Sequence, residues 1–254
     1  MLVKNASDEY YFLKKGYFCA SKLRIMAKKI DTTEEKIHAV EEALSKSEKF
    51  IEKNQKILTI VIGAAVVIVL GVFAFQKLFI APREKAAQGQ MFMAQKYFEQ
   101  DSLNKALNGD ANFPGFLDII DEYSMTKASN LAKYYAGIIY LKQGKFEDAI
   151  TYLKKFDSDD EFVGPMATGS IGDAYMELGQ KDKAAEYYLK ASSQQVNDIT
   201  SPLYMMRAAF VYEDLGKFDK AVELYEKIQK EHTQSNEARD IDKYIEQAKA
   251  KITK

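Results

Sequence analysis

One spaced pattern occurs three times in the second half of the chain: a small residue, Tyr three positions on, Gly four after that, Ala five later, and Leu or Tyr four beyond. The copies read Gly137, Tyr140, Gly144, Ala149, Leu153; Gly172, Tyr175, Gly179, Ala184, Tyr188; and Ala209, Tyr212, Gly216, Ala221, Tyr225. Their turn glycines stand 35 and 37 residues apart. That spacing is close to the roughly 34-residue period of a helix-turn-helix solenoid. Such a period restricts the chain to an all-α array in which each unit buries its apolar face against its neighbours.

Each position has a mechanical reason. The leading small residue and the later Ala mark where the two helices of a unit cross, Gly137 with Ala149 for example, and a larger side chain there would force the backbones apart. The Tyr fills the space between helices, and the Gly past the first helix supplies the positive φ that ends it. After each turn the apolar residues return at helical spacing, as in Phe146, Ala149, Ile150 and Leu153. This is the tetratricopeptide repeat signature.

Only 4 Pro, 13 Gly and no Trp agree with a helical protein, and 47% hydrophobic content supplies a sizeable core. A net charge of −1 gives no electrostatic reason to expect nucleic acid. The single Cys19 forms no internal disulfide and does not choose between oxidising and reducing compartments.

From Ile57 to Phe75 the chain carries no charge, and Leu78 to Ile80 extend the apolar run. At about 1.5 Å per residue the charge-free stretch spans roughly 28 Å, matching a bilayer core. No small-x-small cleavage site follows, so residues 57–80 are expected to form an uncleaved signal anchor. Basic residues flank it equally at close range, but Lys22, Arg24, Lys28, Lys29 and Lys36 tip the balance towards a cytoplasmic amino terminus and exported repeats. Ala64 and Gly71 share a face that would let a second helix approach.

Residues 1–25 show no sustained period, and Met26-Ala27-Lys28-Lys29 looks like a bacterial start, so the leader is expected to be a mis-annotated or disordered extension. Residues 26–56 are expected to form a cytoplasmic amphipathic helix, opened by the Thr32-x-x-Glu35 capping box, with Ile37, Val40, Leu44 and Ile51 on one stripe and a lone exposed His38. Residues 81–129 hold a linking helix and a degenerate first repeat in which Ala94, Tyr97, Asp101 and Ala106 keep the spacing with Asp in place of the turn Gly. The string from Asn108 to Gly115 interrupts its second helix, which resumes at Phe116. Three regular repeats fill 130–234, and 235–254 provides a capping helix from Asn236 to Ile252.

Catalytic and metal chemistry find no foothold in the sequence. His38 and His232 are the only histidines, too few for a zinc site, and the carboxylates fall on solvated helix faces. Asp157 to Glu161 opens like a calcium loop but lacks Gly at the sixth place and Glu at the twelfth, which leaves an acidic inter-repeat turn. No cofactor is expected, and the chain reads as a binding scaffold. The candidate site is the concave groove formed by the first helix of each repeat: Leu131, Tyr134 and Ile138; Met166, Asp173 and Met176; Leu203, Met206, Phe210 and Glu213. A Met-rich apolar lining suits an extended peptide or a partner helix, or else the protein's own amino-terminal helices or a second copy. Only Arg207 stands at a position where chaperone-binding repeats place a carboxylate clamp.

The order of arm, anchor and repeats resembles the YfgM-like ancillary subunits of the bacterial SecYEG translocon, in a Bacteroidota-type variant. The resemblance rests on Glu52-Lys53-Asn54-Gln55-Lys56, Leu107-Asn108-Gly109-Asp110, Gly115-Phe116-Leu117-Asp118-Ile119 and Tyr134-Tyr135-Ala136-Gly137, and runs from about Ser45 to Ile252. It implies a single-pass bacterial inner-membrane protein with periplasmic repeats. Its implied partners are translocon subunits, a periplasmic chaperone or exported polypeptides. An envelope assembly scaffold and a cytosol-facing organelle receptor remain the alternatives, with homo-oligomerisation open in each.

Overall fold

The computed structural model describes Ser45, Glu48 and residues 50–252. The expected leader, most of the amino-terminal arm with its capping box, and His38 lie outside these residues. The chain divides into two compact units, Met1–Phe73 and Ala74–Lys254. A helical run covers Phe50–Glu99, and none of its most apolar stretch is buried. Its length and composition suffice to cross a membrane. Ile60, Val67, Ile68 and Val69 all project from it unprotected.

The second unit opens with a π-helical turn, Gln76–Ile80, closed by the Ala81 N–H on the Gln76 carbonyl. Pro82 has no N–H to offer four residues back, and the helix widens just ahead of it. The same run then continues as α1 (Ala81–Glu99), followed by α2 (Leu103–Asn108) and α3 (Phe116–Glu122), the two pieces of the interrupted second helix. The regular units are α4 (Lys127–Lys142) with α5 (Phe146–Lys154), α6 (Val163–Glu177) with α7 (Lys181–Gln194), and α8 (Thr200–Asp214) with α9 (Phe218–Glu231). The terminal helix α10 (Ile241–Ile252) covers the last unit. It starts five residues later than expected, because Ser235 Oγ accepts the Ala238 N–H and holds the preceding segment as a turn.

Gly144, Gly179 and Gly216 have φ of +72°, +70° and +70°. After each, the next residue's N–H bonds back to the pattern Tyr: Lys145 to Tyr140 at 2.9 Å, Gln180 to Tyr175 at 2.8 Å, Lys217 to Tyr212 at 2.8 Å. Asp101 repeats this geometry at φ 55°, with Ser102 N–H on the Tyr97 carbonyl at 2.8 Å. The turn after α1 thus has the geometry of the three glycine turns with Asp in the glycine's place.

The crossing point differs in one detail from expectation. A Cβ on Gly137 would stand 2.5 Å from Leu153 Cγ, and one on Gly172 2.7 Å from the Tyr188 ring. The small residue thus makes room first of all for the last position of the pattern. Ala149 is fully buried on the same helix. Three core clusters follow one another along the array, each formed by the facing sides of consecutive units, as a one-dimensional stack requires.

Candidate functional site

The first helices pack on one another, α4 on α6 and α6 on α8, and so form the inner face of the array. Of the residues expected to line it, Leu131, Tyr134, Ile138, Met176 and Leu203 are half-buried, while Met166 and Phe210 are 43% and 44% exposed. Met206 does not line the groove: it is 8% exposed and sits in the last core cluster with Tyr225, Ile241 and Ile245. The capping helix covers that end of α8 and encloses it.

Between α6 and α8 lies a depression of about 280 Å³, walled by Met176, Tyr188, Phe210 and Val211, with Arg207 and Asp214 at its rim. Its floor is fixed by charge-assisted bonds converging on one carboxylate oxygen: Tyr188 O–H donates to Asp173 Oδ1 at 2.6 Å and Arg207 at 2.5 Å. Burial, reinforced by that bond to Asp173, raises the Tyr188 pKa and keeps it a donor. Burial, with a smaller push from the Asp173 charge, raises the Tyr204 pKa to about 12 against the opposing charge of Arg207. The Arg207 guanidinium also lies 5.6 Å from the Tyr204 ring and 5.9 Å from that of Tyr188. It is held by Asp173 and by the two rings.

Sequence reasoning missed the pair that shapes this floor. Tyr204 fills the space that a Cβ on Gly169 would need, and its ring stacks on Tyr188. The signal was present in Gly169, a helix-interior glycine with no turn to make, which costs about 1 kcal/mol and so marks a close approach. At the next unit Phe210 stands where Asp173 does, and Tyr225, the counterpart of Tyr188, donates instead to Glu213 at 2.9 Å, which also accepts from Lys251 Nζ at 2.9 Å and so ties α10 to α8.

Of the repeat-defining residues, Gly137, Gly172, Ala149, Ala184, Ala209 and Ala221 are buried, and Tyr140, Tyr175 and Tyr212 stand beside the turns whose carbonyl bonds they supply. The tetratricopeptide repeat family model matches residues 134–196 and 170–236. Residues 134–236 of the array are tetratricopeptide-like helical repeats. No curated protein matches the chain. Among solved structures it is similar to the nearly identical TPR-like repeats ascribed to a Podosopora anserina kinesin light chain, at 13% identity, and to a single-residue variant of them, at 14%. Each match has a TM-score of 0.49 and covers 67% of this chain and 88% of the other.

A tetratricopeptide array is a scaffold for protein–protein contacts, usually without catalysis. Among the described residues no group of three or more His, Cys, Asp or Glu is placed to hold a metal. The segment from Asp157 to Glu161 is the acidic turn its sequence suggests. Asp160 Oδ1 accepts the Phe162 and Val163 N–H groups at 2.9 and 2.8 Å and so caps α6.

Proposed function

We propose that this protein is a membrane-anchored tetratricopeptide scaffold whose concave groove takes up apolar segments of other polypeptides. Its resemblance to ancillary translocon subunits supports a role in export at SecYEG alongside a periplasmic chaperone. The observation that carries the groove reading is the exposure of Phe210 in the wall of that depression, with Met166 exposed further along the preceding repeat's first helix. Large apolar groups left in solvent on two successive first helices favour a ligand of the same character. The apolar helix supplies the anchor. The basic excess on its amino-terminal side supports a periplasmic array.

Photo-cross-linking from Met166 and Phe210 in the full-length membrane protein tests this reading. Translocon subunits or chains in transit are expected in the adducts, and their absence would defeat the translocon role. Met166→Asp with Phe210→Asp should abolish capture while far-UV circular dichroism stays unchanged. An alkaline phosphatase fusion after Lys254 should be active, and an inactive, stable fusion would reverse the orientation.

A further inference from the structure

The connections between repeats carry a second surface that the groove does not use. Successive helices run antiparallel, so the glycine turns fall on one edge of the array and the inter-repeat connections on the other. On that second edge large apolar side chains stand in solvent: Met125 is 61% exposed, Phe162 39%, Val196 76% and Ile199 63%. They come from three consecutive connections, and adjacent connections are joined. The Asn130 side-chain amide donates to the Asp157 carbonyl at 2.6 Å and accepts its N–H at 3.2 Å. That of Asn197 donates to the Glu161 carbonyl at 3.2 Å while accepting the Ile199 and Thr200 N–H groups. The apolar tips are thus presented on a braced frame, with little ordering left to do on binding.

The surrounding charge identifies the partner. Asp157, Asp159 and Glu161 have exposed side chains that meet no Lys, Arg or His among the described residues. Asp160 and Asp198 add two more carboxylates within the same connections, against a single Lys155. An anionic lipid surface would be repelled by this frame. Apolar tips among unpaired carboxylates complement a segment carrying apolar and cationic side chains together. We infer that the inter-repeat edge around Phe162, Val196 and Ile199 is a docking surface for a cationic amphipathic polypeptide segment, separate from the concave groove.

The test uses the full chain in zwitterionic phosphatidylcholine nanodiscs and a fluorescent Leu/Lys amphipathic peptide, with empty discs as the blank. A Leu/Glu peptide of the same pattern should bind about tenfold more weakly or worse. Phe162→Ser with Ile199→Ser, both at exposed positions, should weaken the Leu/Lys peptide about tenfold. Asp159→Asn with Glu161→Gln should weaken it several-fold and flatten its salt dependence. Equal binding of the two peptides overturns the inference. So does a Kd untouched by the loop variants but lost with Met166→Asp and Phe210→Asp, which would place all binding in the groove. Loss of groove capture with loop binding intact would instead separate the two surfaces. Sedimentation velocity covers the remaining occupant: a dimer dissociated by the loop variants would make the partner a second copy and overturn the inference as well.

Discussion

The two edges of the array solve the same problem, joining antiparallel helices, with different means. On the glycine edge each turn is closed by backbone bonds, and neighbouring turns are joined by Lys142–Asp101 at 3.4 Å, Lys181–Asp214 at 2.6 Å and Lys217–Asp182 at 2.6 Å. These are exposed ion pairs, weak and sensitive to salt. On the other edge the joints are side-chain-to-backbone bonds from Asn130 and Asn197, with His232 Nδ1 2.8 Å from Asp198 at the last connection. A glycine turn fixes the chain by its own geometry and needs little from side chains. A longer connection has no such geometry, so an Asn must hold it, and the tips that are left over become available to a partner.

The edges should therefore fail differently. Asn197→Ala removes a helix cap and an inter-repeat brace at once, and should cost about 2 kcal/mol, read as a lower urea midpoint with an unchanged slope. Gly179→Ala and Gly216→Ala meet open space, so only the left-handed backbone resists them, at about 1 kcal/mol each. A larger loss from either glycine than from Asn197 would invert the comparison.

How much was legible in the sequence follows from the same contrast. Gly144, Gly179 and Gly216 were readable because a positive φ restricts residue choice at a fixed position, and the crossing glycines because a close approach does the same. Even Asp101 was found, by spacing alone. The groove was less legible. Met206 carries the same pattern position as Tyr134 and looked like lining, but its fate depends on α10, which begins 35 residues further along at Ile241 and lies outside the repeat pattern. The Asn130 and Asn197 braces were invisible, since their partners are backbone atoms of a neighbouring repeat, and backbone leaves no residue signature.

The Asp101 turn offers a sharper probe of the glycine edge. Asp101 holds the left-handed conformation at φ 55° that its three counterparts leave to glycine. Asp101→Gly should therefore stabilise the array by up to about 1 kcal/mol, because the exposed 3.4 Å contact it gives up with Lys142 contributes little. A destabilised variant would show that Asp101 contributes through its side chain, and that this turn had left the glycine logic altogether.

The smallest effect separates the two caps of the loop edge, Asp160 on α6 and Asn197 on α8. The Val163 and Phe162 N–H groups hold the Asp160 carboxyl below its ordinary 3.8. A depressed folded-state pKa adds stability above the unfolded value, and that stability disappears as pH falls through the folded one. Asn197 does the same work without titrating. Acid should thus loosen the start of α6 before that of α8, seen as faster amide exchange at Val163 than at Thr200 below pH 4 or so. Asp160→Asn should equalise the two, since it keeps the acceptor and removes the proton. If exchange at Val163 stays acid-sensitive in that variant, the Asp160 carboxylate is not what caps α6.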